Sequence, residues 1–264
     1  MRHAIIMLMA GLLMAQDTVP AHIQEFAQWR LANSGLRSWD EDLRLYRAKL
    51  IASNVTEKDA DAIILELRNN RDLVGAARWN ASLLDPGYRM SHAPNRLLME
   101  TIKGRKPGTA LDIGMGEGRN SIYLAQLGWS VTGFDQAEKA VSAARQRAAE
   151  AKLPLQTVVA RFDSFDFMRE HWDLVVDMYE FVPVRRFRQQ VYESLKPGGL
   201  WVIEGFGSRS EAPANAVGEG SYGSGELLRL LGNQFRILKY EEVEDVGDFG
   251  LQVVPLVRVV AQKK

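Results

Sequence analysis

The chain has 264 residues, 46% apolar and 25% charged, which suits one sizeable α/β domain with a smaller addition and excludes wholesale disorder. Its 33 basic and 33 acidic side chains cancel, so a generally basic nucleic-acid binder is disfavoured. The absence of cysteine excludes disulfides, thiolate metal sites and cysteine nucleophiles, and the histidines (His3, His22, His92, His171) are too scattered to pair as ligands on a helix, so no metal site is expected.

Residues 1–19 open with Arg2 and His3, continue with an apolar run from Ala4 to Ala15 and turn polar at Gln16-Asp17-Thr18. That run is too short to span a bilayer. The order of charge, apolar run and polar end fits a secretory signal peptide cut after Ala15, although Leu13 occupies a place usually held by a small residue. The competing reading is a buried N-terminal helix.

Residues 20–105 read as a helical appendage. Ile23, Phe26, Ala27 and Trp29 form an apolar stripe over Ala21 to Ala32. Ser38 with Glu41, and Thr56 with Asp59, have capping-box spacing and open the next two helices. A charge-rich end, Arg68 to Asp72, leads into Ala76 to Leu84, Leu84-Asp85-Pro86-Gly87-Tyr88 is a turn, and Pro94 opens a helix that runs to Lys103. Stripes of this spacing usually form a core, so the unit is read as a cap packed on the main domain; the sharper alternative is a lid or a dimerisation element. The loop at His92 makes that side chain a candidate for the substrate side of a site.

From 106 to 264 strands and helices alternate. Strands are expected at Thr109 to Ile113, Trp129 to Phe134, Leu155 to Ala160, Trp172 to Val176 and Leu200 to Glu204, with helices at Asn120 to Leu127, Ala137 to Ala151 and Arg185 to Leu195. This is the pattern of a doubly wound, mostly parallel sheet, with the ligand at the carboxyl ends of the strands. Gly205 to Gly223 reads as a long loop, either a lid or plain surface. A short helix from Gly225 to Leu231 and two late strands, Phe235 to Glu242 and Leu251 to Ala261, complete the chain, with Pro255 suggesting an edge.

The chemistry gathers at the strand ends. Gly114, Gly116 and Gly118 follow the first strand with Gly-x-Gly-x-Gly spacing, and Arg119 stands where a dinucleotide fingerprint has its third glycine. Asp112 lies just before the turn, Asp135 ends the second strand beside Gln136, Asp163-Ser164 follows the third and Asp177 ends the fourth. Asp135 can accept from two ribose hydroxyls, and Asp163 can meet an adenine amino group. Asp112 would repel a pyrophosphate but could hold a cationic amino-acid group. An adenosine without a pyrophosphate is the ligand these ends suggest.

Ala110-Leu111-Asp112-Ile113-Gly114-Met115-Gly116-Glu117-Gly118 resembles the first motif of class I S-adenosylmethionine-dependent methyltransferases, Val131 to Asp135 their second, and Leu195-Lys196-Pro197-Gly198-Gly199 the turn before their fifth strand. Gly118-Arg119-Asn120-Ser121 and Gly223-Ser224-Gly225-Glu226-Leu227 are similar to tellurite-resistance-type methyltransferases, whose Glu-Gly-Glu-Leu segment is partly kept here. Met115 stands where many members carry cysteine. The resemblance covers about 105 to 264. It implies a Rossmann-like seven-stranded fold with an antiparallel last strand, and S-adenosylmethionine as methyl donor. The cofactor contacts it implies are Asp112, Gly114, Met115, Gly116, Gly118, Asn120, Asp135, Gln136, Asp163, Ser164 and Asp177. It further implies in-line methyl transfer to a small-molecule or soft-anion acceptor, with Glu180, Tyr179 and His92 as candidate bases. Asp177-Met178-Tyr179-Glu180 does not match the Asn-Pro-Pro-Tyr motif of amino methylation, which lowers nucleic-acid substrates, so no nucleic-acid partner is expected; the short apolar start leaves no stable membrane span expected after processing. The alternatives are an NAD(P)-dependent oxidoreductase on the same fold and a non-catalytic S-adenosylmethionine- or nucleotide-binding protein. The signal-like start points to a periplasmic or secreted protein, whereas a cytosolic cofactor points to the cytoplasm.

Overall fold

The computed structural model describes residues 19–33, 38–82, 90–180, 182–208 and 221–264. The leader-like start, the turn at 84–88 and most of the long loop after β5 lie outside the described residues.

Four helices come first: α1 (Ala21–Ala32), α2 (Trp39–Ala52), α3 (Glu57–Asn69) and α4 (Arg71–Ser82). The Ser38 and Thr56 side chains accept from the backbone N–H groups of Glu41 and Asp59, as their spacing predicts. These helices bury a core of their own, with Phe26, Leu43, Tyr46, Leu67 and Val74 at its centre. The Phe26 ring lies 4.8 Å from that of Tyr46 and 5.9 Å from that of Trp29. Helix α5 (Arg96–Ile102) starts later than Pro94 suggests, because the Asn95 side chain caps it by accepting from Leu98 N–H. Proline therefore precedes the cap instead of filling the first turn. No helix among the described residues is long and apolar enough to cross a membrane.

A seven-stranded sheet follows, in the order β3-β2-β1-β4-β5-β7-β6. Strands β1 (Thr109–Ile113), β2 (Ser130–Asp135), β3 (Leu155–Val159), β4 (Trp172–Met178) and β5 (Leu195–Phe206) pair in parallel. Strand β7 (Val253–Lys263) runs antiparallel between β5 and β6 (Phe235–Val246). Period-two alternation sorts the sheet into two cores. Leu111, Ile113, Val175, Trp201 and Val259 face Val184, Val191 and Leu227 on one side, from helices α8 (Val182–Arg186), α9 (Arg188–Ser194) and α10 (Glu226–Leu231). Ala110, Val131, Leu174, Val202 and Val260 face Leu97, Leu98 and Leu124 on the other, from α5 and α6 (Arg119–Gln126). Helix α7 (Glu138–Glu150) packs Val141 and Ala144 on Met115.

Three expectations are corrected. Arg185 to Leu195 is not one helix: it breaks at Phe187, whose ring turns into an aromatic cluster with Phe162 and Phe167. The Lys196–Gly199 turn lies inside a continuous β5, as an outward bulge between the pairs Trp172–Leu195 and Leu174–Leu200. Pro255 is not on an edge; it pairs with Glu244 in the inner strand β7, one residue before the Phe206–Leu256 pair, where its carbonyl still accepts from Gly207 N–H.

Because β7 runs antiparallel, the turn that links it to β6 (247–252) falls at the carboxyl ends of the parallel strands. A buried polar network fixes it there. Glu204 on β5 accepts from Arg258 at 2.5 Å, from Asn95 at 2.6 Å and from the Tyr179 hydroxyl at 2.9 Å. Asp248 in the turn accepts from Arg119 at 2.6 Å and Asn95 at 2.9 Å, and its N–H donates to the Tyr179 hydroxyl. Glu204 and Arg258 are almost wholly buried, so removing one partner strands the other charge. Arg258→Met should cost about 3–5 kcal/mol in urea unfolding, whereas the double change with Glu204→Gln should recover most of that loss.

Candidate functional site

The turn after β1 is built on three left-handed glycines: Gly114 at φ 61°, Gly116 at 54° and Gly118 at 77°. Two of them are also sterically required. A Cβ on Gly114 would sit 2.5 Å from the Glu180 side chain, and one on Gly118 would meet the Ala144 Cβ at 2.9 Å. Asp135 locks the turn to the end of β2. Its Oδ2 accepts from Gly116 N–H at 3.0 Å and its Oδ1 from Ala137 N–H at 2.8 Å.

A tight cavity of about 50 Å³ opens on this turn. It is lined by Gly114, Gly116, Glu117, Asp135 and Glu180 on its polar side, with Ala137, Ala140, Met178 and Tyr179 below and Trp79, Met90 and Phe249 above. A wider cleft of about 570 Å³, around Gly108, Trp129 and Pro197 to Gly199, lies at the amino ends of the strands and carries none of the strand-end acids.

The acids of the site resist ionisation. Burial, reinforced by the charge of Asp135, pushes Glu180 up to about 8. Burial raises Asp135 as well, against three backbone N–H groups that hold its charged form. Asp112 is pushed up to about 6 by burial, opposed by the Ser121 hydroxyl that donates to it at 2.6 Å and by the charge of Arg119. Asp177 lies well above the usual carboxylate range through burial and the charge of Glu180. Such crowding leaves the site short of positive charge. A cationic ligand would relieve it, and a pyrophosphate would aggravate it.

Of the residues singled out in the sequence, Gly114, Gly116, Asp135, Tyr179 and Glu180 come together around the cavity. The others do not line it. Asp112 is sealed beneath the turn by Ser121, and Met115 is buried under Gly133. Gly118 faces Ala144, and Asn120 accepts from Asn95 N–H at 2.9 Å as a strap behind the site. Gln136 lies against Gly75 of α4. Asp163 is exposed and paired with Arg161 at 2.7 Å, and the Ser164 hydroxyl closes a local turn with the Arg161 backbone. Asp177 belongs to the opposite face of the sheet from Asp112, being register partner to Ile113 where Asp112 partners Val176.

Two candidate bases are corrected. His92 is exposed and off the cavity wall. Tyr179 lines the cavity with its ring, but its hydroxyl is committed to Glu204 and Asp248, and burial together with the Glu204 charge raises its pKa far beyond use. Its own backbone is left-handed at φ 66°, a strained conformation for a ring-bearing residue. The sequence reading missed Glu117, Ala137, Ala140, Met178, Trp79, Met90 and Phe249. Glu117 stands inside the glycine motif and was legible; nothing local marks Trp79 or Phe249.

A family described as methyltransferase domain matches residues 110–199. Over those residues the chain is similar to a methyltransferase domain. The ubiquinone biosynthesis O-methyltransferase of Paramagnetospirillum magneticum is 35% identical over 122 residues, 45% of this chain and 49% of that one. Ribosomal RNA small subunit methyltransferase C of Alcanivorax borkumensis is 28% identical over 172 residues, 61% of this chain and 50% of that one. TehB of Haemophilus influenzae is 25% identical over 150 residues, 55% of this chain and 52% of that one. The TehB crystal structure shares the fold at a TM-score of 0.53 and 23% identity, over 63% of this chain and 61% of its own. The chain spans about half the length of the curated relatives it matches. The family implies S-adenosylmethionine as methyl donor, and a glycine cradle beside charge-hungry carboxyls fits that cation.

The raised acids also act on stability. A carboxyl whose folded pKa is raised stabilises the fold while protonated in both states, and that contribution fades as pH climbs from the unfolded value through the folded one. For Glu180 the window runs from 4.5 to about 8. The ligand-free protein should therefore lose thermal stability across that range, and Glu180→Gln should flatten the loss and raise Tm at pH 8 by a few degrees in a melting series. An unchanged pH profile would place Glu180 in a more solvated setting than its packing against Gly114 indicates.

Proposed function

We propose that this chain transfers a methyl group from S-adenosylmethionine to a small-molecule or soft-anion acceptor. The observation that carries the reading is the set of reluctant carboxyls around a left-handed glycine turn. When bound, S-adenosylmethionine supplies a methyl group already activated by a positive sulfur. Asp135 keeps free lone pairs on both oxygens after accepting Gly116 and Ala137 N–H, enough for two vicinal ribose hydroxyls. Glu180 ionises against the ligand's positive charge. The bare backbone at Gly114 and Gly116 admits the ligand closely. The rings and thioethers of Tyr179, Met178, Met90 and Phe249 exclude water, and alignment of acceptor and methyl carries most of the rate. For an acceptor that must lose a proton, Glu180 is an acid on the cavity wall whose pKa burial pushes up to about 8.

A small acceptor is favoured by the zero formal charge of the chain. One relative is named for ribosomal RNA and another for ubiquinone biosynthesis, so kinship alone leaves acceptor size open. Against an NAD(P)-dependent oxidoreductase stand Arg119 in place of the third dinucleotide glycine and the acids that a pyrophosphate would face.

Calorimetry should find S-adenosylhomocysteine bound and NADH not bound, and Asp135→Ala should weaken S-adenosylhomocysteine by about 1–3 kcal/mol. NADH binding alone would overturn the reading. A screen with methyl-labelled cofactor over thiols, oxyanions, amines and phenols should give transfer to at least one class. Binding without any transfer would instead support a non-catalytic binding protein.

A further inference from the structure

The N-terminal helices do more than cover the sheet. Helix α4 turns one face into their own core through Leu73, Val74 and Ala77. Its other face, Gly75, Trp79 and Asn80, meets the start of α7 at three points. The absence of a side chain at Gly75 lets Gln136 approach, since a Cβ there would stand 3.2 Å from Gln136 Nε2. Asn80 Oδ1 accepts from Lys139 N–H at 3.2 Å, an acceptor that α7 lacks from its own cap, Ala137. Between these contacts the Trp79 ring reaches the cavity beside Ala137 and Ala140 and lies 5.8 Å from the Phe249 ring. Phe249 comes from the opposite side, on the β6–β7 turn. It packs on Tyr179 at 4.9 Å and is anchored by the bridge to Met90 and by Asp248.

Trp79 and Phe249 thus meet over the glycine turn, and the space they leave, about 50 Å³, is far below the roughly 300–1,000 Å³ of ordinary small-molecule sites. A nucleoside-sized ligand enters only if this roof lifts. The two halves differ in how they are held. Phe249 sits on a turn tied by the part-buried Asp248–Arg119 ion pair and tied to β5 through hydrogen bonds donated by Asn95 to both Asp248 and Glu204. Trp79 sits on a helix that packs into the separate core of the N-terminal helices, and the Asn80 contact of that helix with α7 is exposed.

We propose that Trp79, contributed by the N-terminal helical unit, is a ligand-contacting residue of the methyl-donor site, and that it moves with α4 as the opening half of a Trp79–Phe249 roof. The inference rests on the S-adenosylmethionine reading of the same cavity. When closed, the roof holds the ligand and excludes water. When open, it sets the rate at which the ligand enters and leaves.

The test is stopped-flow binding of S-adenosylhomocysteine to the full chain. Trp79→Ala should speed both association and dissociation by about tenfold or more, with a smaller change in Kd, because removing a gate lowers the barrier in both directions. Trp79→Phe should keep rates within about threefold of the unchanged protein, which separates loss of the ring from general damage to α4. Asn80→Ala, which loosens α4 without touching the cavity, should speed both steps in the same direction. Rates for Trp79→Ala within twofold of the unchanged protein would overturn the roof. So would faster dissociation with unaltered association, which is the mark of a lost static contact. Failure of the unchanged protein to bind S-adenosylhomocysteine would overturn the functional reading itself, and with it this proposal.

Discussion

The Asp135 carboxylate is the joint on which the site depends. One oxygen takes the N–H of Gly116 and the other that of Ala137, so a single side chain joins the turn after β1 to the turn after β2. Those turns lead into α6 and α7, the two helices that flank Met115 and Gly118. Without a buried acceptor at that point, two backbone N–H groups would lose their partners and the left-handed path through Gly114 and Gly116 would lose its lock. Burial pushes the protonation of Asp135 upward while those N–H groups pull it down. The same group is thereby structurally satisfied and still able to accept from a ligand.

Around that joint the chain concentrates acid. Asp112, Asp135, Asp177 and Glu180 feel one another's charge, and burial raises all four. A fold selected for stability alone would replace such groups or pair them. Pairing does occur one layer further out, where Glu204, Asp245 and Asp248 are matched to Arg258 and Arg119. The contrast between a paired outer network and an unpaired inner cluster marks where the positive charge of a ligand belongs. It also explains why the wide cleft at the amino ends of the strands is a poor candidate: its acid, Asp173, is already held by Lys196 and Thr109.

Much of this was legible in the sequence. The glycine spacing located the left-handed turn and the acid at the end of β2 that closes it, because glycine at φ above zero and a carboxylate at a strand end have few other uses in this pattern. The helix caps at Ser38 and Thr56 were readable for the same reason: the chemistry is local. Asp163, Ser164 and Asn120 were misplaced because position after a strand does not say which way a side chain turns, and local partners such as Arg161 or Asn95 claim it first. Tyr179 looked like a base until Glu204, 25 residues away along the chain, proved to hold its hydroxyl. Burial networks of this kind assemble from segments far apart, and no window of sequence contains them.

The upper wall shows the same limit most clearly. Trp79 and Phe249 lie 170 positions apart by residue number, yet their rings meet. Phe249 is carried there by topology, since inserting an antiparallel β7 beside β5 forces the β6–β7 turn to the ligand end of the sheet. Trp79 is carried there by a helix whose docking face is a glycine and an asparagine, residues that read in sequence as weak helix formers. Within α4 both are costs to local stability. Against α7 they become the gap for Gln136 and the missing helix cap. Sites where local propensity loses to a tertiary contact are where function is to be sought, and in this chain that criterion selects the face of α4 that overlooks the glycine turn.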